Sequence, residues 1–328
     1  MRISSLIDLV NGELLNSPSI SFIYSFKTDP TKVKEGDLFI AKDINSIALA
    51  VQNGAFAIII DEIHPIIDNE IAWIKVNDTN LVLIQLIRFK LANYNLKSYY
   101  TDTLTYDLLK VFSMSSSKKI RFFDNIETFI KNIDNIDNSD IIVSTNKTLL
   151  NKIYPNSLDF NKDNYDFKNL VVHSLFEVSF THNGIFFPKV KIPSIYIPKF
   201  LDVYYFLDLP LDYSKLKNII HFKPIFLDKS LNIIEFGRSD KFIICQNSYD
   251  LMIKELDYLE KNFKYANKLY ITKSYKNFLD KEQIVIDDLS ELKPILKIKS
   301  FNLVYIIDFN YNQVLKLFEE LEKQPTLF

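Results

Sequence analysis

Lys147 and Thr148 are the residues whose types and position best suit phosphate chemistry. They follow the predicted strand 140–143 and stand in front of a predicted helix, where the lysine and threonine of a nucleotide-binding loop contact phosphates and a magnesium ion. Such a loop also needs closely spaced glycines, because successive backbone N–H groups must converge on the anion. The chain has only five glycines, and no two of them lie within ten residues of each other: Gly12, Gly36, Gly54, Gly184 and Gly237. We therefore interpret Lys147 and Thr148 as an ordinary strand-to-helix turn and expect no Walker-type or Rossmann-type phosphate loop.

The other residues that could do chemistry are scattered. Residues 133–140 are rich in Asp and Asn but lack the central glycine and terminal glutamate of a calcium loop. Cys245 is the only cysteine, which excludes an intramolecular disulfide, and we expect it to be buried. Arg238, directly after Gly237, is the charged residue that we expect in a cleft. No histidine has a metal-ligand spacing, so each is expected to be an ordinary loop or core residue: His64, His173, His182 and His221. We predict no catalytic residue and no metal site.

Composition limits the class of protein. A chain of 328 residues is long enough for two or three domains with their own cores. Its 39 basic and 41 acidic residues are interspersed and leave a net charge of −2, which argues against nucleic-acid binding. No apolar run approaches the roughly 20 residues of a membrane span. The first ten residues contain Asp8 and lack the apolar region of a signal peptide. We expect a cytoplasmic protein.

The N-terminal third has the clearest local pattern. Residues 32–41 predict a polar turn that opens into a buried strand, with Gly36 supplying a positive φ and Asp37 bonding the local backbone. A short helix is predicted over 47–55, with Gly54 at its C-terminal cap. The apolar run 56–60 is typical of a strand buried on both faces. A strand at 72–76, with Trp73 in the core, and a helix at 81–94 follow.

The rest of the chain predicts further α/β structure. Asn183-Gly184 is the dipeptide of a type I′ turn and predicts a β-hairpin over 174–193. Strands are predicted at 231–236, 241–245, 268–271, 283–286 and 303–307, and helices at 249–263, 275–279, 289–297 and 312–322. This alternation favours a small Rossmann-like sheet with helices on both faces.

Several of these segments resemble one known family. The sequence VKEGDLFIA, followed by ALAVQNGAFAIII, and the opening ISSLIDLVNGELL are similar to the N-terminal domain of the Mur ligases, the ATP-dependent amino-acid ligases of peptidoglycan synthesis. The MurE and MurF branch is most similar. The resemblance implies an α/β, three-part architecture: an N-terminal-like domain over 1–95, a reduced central α/β domain without a P-loop over 96–224, and a small Rossmann-like C-terminal domain over 225–328.

The functional motifs of that family are altered here. The family's UDP-binding D-[ST]-R is replaced by Asp29-Pro30-Thr31, and its G-x-x-G-K-T loop corresponds to residues 98–109, which contain neither glycine nor lysine. Its C-terminal D-x-Y-A-H/N-N-P-D-S motif corresponds to residues 244–252, where only an asparagine survives. The resemblance implies that four residues remain as substrate-binding candidates: Thr31, Lys32, Asp37 and Asn247.

Three independent losses favour a Mur ligase-like protein that no longer ligates. The leading hypothesis is a pseudo-ligase that needs no cofactor and binds cell-wall synthesis proteins or a peptidoglycan precursor. The alternative is an active ATP-dependent ligase that uses ATP and Mg²⁺ at a rebuilt site around Lys147 and Thr148 or Arg238. A third interpretation is an α/β protein with no cell-wall role. The apolar ending at 324–328 is predicted to be a disordered tail or a docking peptide.

Overall fold

The structure is a computed structural model that describes residues 1–161, 165–208 and 210–319. Contacts between residues divide the chain into two compact units. The first unit comprises residues 1–101 and 118–160, and the second comprises 102–117 and 161–328. Each unit contains two sheets. The division at residues 95 and 224 stays a prediction, and the sequence-predicted tail at 324–328 lies outside the described residues.

The α-helices of the described ranges are α1 (Ile3–Val10), α2 (Ile47–Gln52), α3 (Thr79–Leu91), α4 (Thr103–Ser113), α5 (Ile126–Asn132), α6 (Lys147–Ile153), α7 (Ile197–Leu207), α8 (Tyr249–Asn262), α9 (Leu292–Ile298) and α10 (Tyr311–Glu319). Short 3-10 helices occupy Pro30–Lys32, Ile44–Ser46, Ile133–Asn135, Ser194–Tyr196, Tyr213–Asn218 and Leu289–Glu291. Within the same ranges, no helix is both long and apolar enough to cross a membrane.

The strands are β1 (Glu13–Leu14), β2 (Phe26–Lys27), β3 (Leu38–Ile40), β4 (Ala57–Ile60), β5 (Ala72–Lys75), β6 (Lys97–Tyr100), β7 (Ile120–Phe122), β8 (Ile141–Ser144), β9 (Leu158–Asp159), β10 (Lys168–Ser174), β11 (Glu177–His182), β12 (Ile185–Val190), β13 (Ile225–Phe226), β14 (Phe242–Gln246), β15 (Lys268–Thr272), β16 (Gln283–Val285) and β17 (Leu303–Ile307). They form four sheets, which confirms the predicted α/β class.

The first sheet of the first unit has the order β1-β5-β4-β3-β2, with β2 to β5 parallel and β1 antiparallel to β5. Every residue of β4 is buried, as the apolar run predicts, because α2 packs on one face and α1 and α3 pack on the other. Trp73 is fully buried, which confirms its predicted place in the core.

The second sheet of the first unit has the order β7-β8-β6-β9, and all its strands are parallel. Helix α3 lies between the two sheets, because its apolar residues share one core with α1 and with Phe129 and Leu150 of α5 and α6. This shared core joins residues 1–101 and 118–160 into one unit, although the intervening residues 102–117, which include α4, belong to the second unit.

The second unit begins with a three-stranded antiparallel sheet in the order β10-β11-β12. Asn183 (φ 48°) and Gly184 (φ 76°) join β11 to β12, which confirms the predicted hairpin. The third strand, β10, was not predicted. Phe200 of α7 packs edge-on against Phe180 and Phe187 of this sheet, and α7 in turn packs on α4.

The C-terminal sheet has the order β13-β14-β17-β15-β16, with all strands parallel except β13. Alternate residues of a strand face opposite sides of a sheet. Cys245, Val304 and Ile306 accordingly share a core with α9 and α10, whereas Tyr305 bonds a residue of α8. Helices therefore cover both faces, as predicted.

The predicted strand at 231–236 is wrong. Strand β13 lies earlier, and Leu231 adopts a positive φ of 67° in a turn that is closed by two backbone N–H groups bonding the Asp228 carboxylate. Only an isolated bridge joins Leu227 to Ile233. Turn formation by the Asp side chain therefore overrides the apolar alternation.

The predicted helix at 275–279 is also wrong, because this segment is a turn. The Gln283 amide accepts a hydrogen bond from the Lys276 N–H and donates to the Lys276 and Leu279 carbonyls. These side-chain bonds satisfy backbone groups that a helix would otherwise pair.

A pair of glycines provides a test of the predicted turn in the first unit. Gly36 (φ +93°) and Gly54 (φ +91°) both require the left-handed region, and the N–H of Gly36 donates to the carbonyl of Gly54. A Cβ on Gly54 would lie 3.0 Å from the Cα of Glu35, whereas a Cβ on Gly36 would meet the exposed ring of Tyr24, which can swing away.

We expect Gly54→Ala to lower the free energy of unfolding of the first unit by about 3 kcal/mol, and Gly36→Ala by about 1.5 kcal/mol. Both variants carry the same φ strain, and only Gly54→Ala adds a clash with fixed backbone. Urea titration followed by the fluorescence of Trp73, the only tryptophan, measures both values. Equal losses, or a larger loss for Gly36→Ala, would contradict this account.

Candidate functional site

Asp102 is the N-cap residue of α4. By sequence resemblance, this helix N-terminus corresponds to a phosphate-binding loop. The Asp102 carboxylate caps the helix by accepting hydrogen bonds from the backbone N–H and the hydroxyl of Thr105, each at 2.9 Å. The ammonium of Lys199 on α7 lies 3.1 Å from the same carboxylate. Both side chains of this ion pair are about four-fifths buried.

Charge and burial oppose each other at Asp102. Burial alone would raise the pKa of its carboxyl group, but the Lys199 ammonium and the two bonds from Thr105 outweigh burial and lower that pKa. The carboxylate therefore stays ionised near neutral pH. Its charge also suits the positive end of the α4 dipole.

The residues at the N-terminus of α4 do not fit the phosphates of a nucleoside triphosphate. A phosphate-binding loop leaves backbone N–H groups free for the anion and supplies a lysine to its outer phosphates. Here Asp102 takes the N–H of Thr105, Lys199 is paired with Asp102, and residues 98–109 contain no glycine. A phosphate at this position would face a carboxylate.

A second candidate site lies at the carboxyl ends of β14 and β17. These strands are adjacent and parallel, but α8 follows β14 on one face of the sheet and α10 follows β17 on the other. Ligands of open α/β sheets bind in the crevice that such a switch of faces creates. A cavity of about 290 Å³ is found there, and we call it the strand-end crevice.

The strand-end crevice is lined by residues from the C-terminal sheet, from α4 and from the segment before β13. The sheet contributes Cys245 to Ser248 and Phe309 to Tyr311, and Thr103 and Asp107 of α4 face them together with Ile220 and His221. The His221 ring nitrogen Nε2 lies 3.0 Å from the Asp107 carboxylate. Cys245 is buried, as predicted, and burial raises the pKa of its thiol to about 12, so the thiol is not a nucleophile near neutral pH.

Glu255 of α8 lies beneath this crevice and is fully buried. Its carboxylate accepts hydrogen bonds from the Tyr196 hydroxyl, from the Tyr305 hydroxyl at 2.5 Å and from the Gln246 amide at 2.6 Å. The Gln246 carbonyl oxygen in turn accepts from the backbone N–H groups of Asn247 and Ser248. We call these side chains the Glu255 network.

A polar cavity of about 440 Å³ lies in the first unit, at the carboxyl ends of β3 and β4. Lys42, Asp43 and Asn45 line one side, and Asp61, Glu62 and His64 line the other. Lys42 pairs with Glu127, and Asp43 caps the following 3-10 helix. The polar groups of this cavity are therefore partly engaged in local structure.

The substrate-binding candidates lie in three settings. Thr31 is exposed, and its hydroxyl donates to Asp29, which caps the same short helix. Lys32 is exposed beside it. Asp37 is buried and accepts the N–H of Lys34, so it shapes its own turn. Asn247 belongs to the second unit and lines the strand-end crevice.

The nucleotide-binding candidates belong to both units. Lys147 and Thr148 are exposed at the start of α6 in the first unit, and the Lys147 ammonium lies 5.2 Å from the centre of the Tyr100 ring. Arg238 is in the second unit, exposed in a turn, and its guanidinium lies 2.7 Å from the Glu235 carboxylate. Over the ranges that the structure describes, no group of three or more His, Cys, Asp or Glu residues is arranged to hold a metal ion.

Sequence reasoning missed the residues that form the best-defined polar sites. Asp102 preceding Thr103-x-Thr105 is a helix-capping signal that could have been recognised. Lys199 and Glu255 gave no signal, because their partners are far away in the sequence.

The fold is that of a class of multidomain α/β ligases. The chain superposes on MurF from Acinetobacter baumannii with a TM-score of 0.58 at 12% identity, covering 97% of this chain and 98% of that one. It superposes on the MurF ligase from Thermotoga maritima, solved in complex with ADP, with a TM-score of 0.56 at 16% identity, covering 91% and 98%.

Sequence comparison adds nothing to this likeness: no model of a known protein family and no curated protein matches the chain. At identities this low, the structural match shows a Mur ligase-like fold and not an activity.

The Glu255 network predicts a specific pH dependence. Burial raises the pKa of Glu255 from 4.5 to about 6, although its three hydrogen bonds and His221 lower it in part. Below pH 4.5 the group is neutral in both folded and unfolded chains. Between 4.5 and about 6 the unfolded chain ionises more readily, so about 2 kcal/mol of stability is lost as pH rises.

We expect Glu255→Gln to abolish this part of the pH dependence. Urea unfolding followed by circular dichroism, from pH 4 to 8, gives the difference between the natural chain and the variant. Trp73 fluorescence serves as the internal reference for the first unit, and Glu235→Gln, at an exposed position, is the control. A difference that does not change with pH would show that Glu255 does not titrate in this range.

Proposed function

We propose that this chain is a catalytically degenerate Mur ligase-like protein that acts as a binding or scaffold protein in peptidoglycan precursor synthesis. The observation that carries the proposal is the Asp102 carboxylate at the N-terminus of α4, paired with Lys199. By the sequence resemblance, this turn corresponds to the loop that holds the phosphates of ATP in a Mur ligase.

Electrostatics explains why the Asp102–Lys199 pair opposes nucleotide binding at α4. A phosphate-binding loop gains affinity from unpaired N–H groups, a helix dipole and a free lysine. At α4, Asp102 accepts the N–H of Thr105, lies at the positive end of the helix dipole and pairs with Lys199, and it adds a negative charge. Binding a triphosphate there would require breaking a largely buried ion pair and would leave Asp102 facing like charge.

The remaining candidates support binding rather than ligation. Lys147 and Thr148 are exposed at the start of α6, and Arg238 is an exposed partner of Glu235. The strand-end crevice and the polar cavity of the first unit are the concave surfaces for a precursor. Lys32 beside that unit's first sheet and Asn247 in the crevice are exposed and suited to polar contacts.

The first test is ATP binding with Mg²⁺ present. We expect no concentration-dependent rise of the melting temperature up to millimolar ATP, and no heat in calorimetry. A ligand at a hundred times its dissociation constant would add about 2.7 kcal/mol of stability, so binding would be detected. If ATP does stabilise the chain, the alternative of an active ligase replaces this proposal. Lys147→Ala and Arg238→Ala would then locate the rebuilt site.

The second test concerns the partner. We expect either calorimetric binding of UDP-MurNAc-peptide that Asn247→Ala weakens, or enrichment of peptidoglycan synthesis enzymes with the tagged chain over a tagged unrelated α/β protein. Absence of both results would contradict a role in precursor synthesis, whatever the outcome with ATP.

A further inference from the structure

The second unit contains an apolar pocket that the proposed function does not use. Its volume is about 320 Å³, at the lower end of the range of small-molecule sites. It lies between the segment 216–226, the segment that follows β12, and helices α4 and α10. Aromatic and aliphatic side chains form most of its wall, among them Leu104, Phe176, Ile192, Phe222, Ile234 and Phe236.

The charged residues of the pocket are all potential cations. Its wall includes Lys191, Lys217, Lys223 and His221, and no Asp or Glu is part of the lining. In the parts of the chain that the structure covers, none of the three lysines forms an ion pair within 4.0 Å. The fourth potential cation, His221, is paired with Asp107. The pocket therefore carries uncompensated positive charge.

Lys223 is the cation most closely integrated into the wall. Its ammonium donates to the carbonyl of Lys217 at 2.8 Å and lies 5.3 Å from the centre of the Tyr311 ring. Burial lowers the pKa of the Lys223 ammonium, which shows that its surroundings disfavour an isolated charge. An anion beside the ammonium would offset that cost.

We propose that this pocket binds a single-chain fatty acyl anion, with the alkyl chain against the apolar wall and the acid group beside Lys223. The apolar wall gains from burial of the chain, and the acid group supplies the missing counter-charge. The volume accommodates one chain. This inference is independent of the proposed role in precursor synthesis, because neither Asp102 nor Asn247 lines the pocket.

The test is calorimetric titration of the full chain with dodecanoate below its micellar concentration. We expect one binding site, and at least tenfold weaker binding of dodecyltrimethylammonium, which has the same chain length and the opposite charge. Lys223→Met, which keeps the apolar stem, is expected to weaken dodecanoate binding about tenfold. Lys254→Met, at an exposed position of α8, is the matched control and should leave binding unchanged.

A second variant distinguishes loss of the binding site from loss of folding. Ile234→Trp fills the pocket from a half-buried position of its wall and should abolish dodecanoate binding while circular dichroism stays unchanged. Equal binding of the two surfactants, or no effect of either pocket variant, would overturn the proposal. Binding only to a variant that ends at Glu319 would also overturn it, because residues 320–328 would then be the occupant.

Discussion

The second unit depends on one buried carboxyl group. Glu255 receives hydrogen bonds from three separate segments: Tyr196 before α7, Gln246 at the end of β14, and Tyr305 within β17. Through Gln246 the same network fixes the backbone at the start of α8. A buried carboxylate is tolerated only where its hydrogen bonds are satisfied. The network therefore fixes how the hairpin side of this unit meets its C-terminal sheet.

Helix α4 is held by one set of residues along its length and by another at its N-terminus. Leu104, Leu108 and Phe112 are buried, so the helix is held by packing. Its N-terminus is capped by Asp102, which also pairs with Lys199. The packing side of such a helix can persist while its end changes, because the two depend on different residues. This separation is consistent with a shared fold at 12% identity.

Local patterns predicted much of the fold. The buried strand β4, the positive φ values of Gly36 and Gly54, and the turn at Asn183 and Gly184 follow from residues close together in sequence. The errors at 231–236 and 275–279 arose where one side chain, Asp228 or Gln283, satisfies nearby backbone groups. Such competition depends on the conformation that the whole segment adopts, so alternation of apolar residues does not reveal it.

The candidate sites were harder to predict because they depend on distant pairs. Tyr305 and Glu255 are 50 residues apart in sequence, and Asp102 meets Lys199 only through the packing of α4 on α7. Neither pair has a spacing that sequence reasoning could use. Asn247, in contrast, was found by resemblance and lines the strand-end crevice, although its role stays a prediction.

The burial of Cys245 makes the chain convenient for spectroscopy. Its thiol is the only one in the sequence, and burial both shields it and raises its pKa, which disfavours the thiolate that maleimide dyes require. A cysteine introduced on the surface of the second unit would therefore take a dye alone. Trp73, the only tryptophan, lies in the first unit and can serve as the energy donor. The chain thus already contains the donor for an energy-transfer measurement of the distance between its two units.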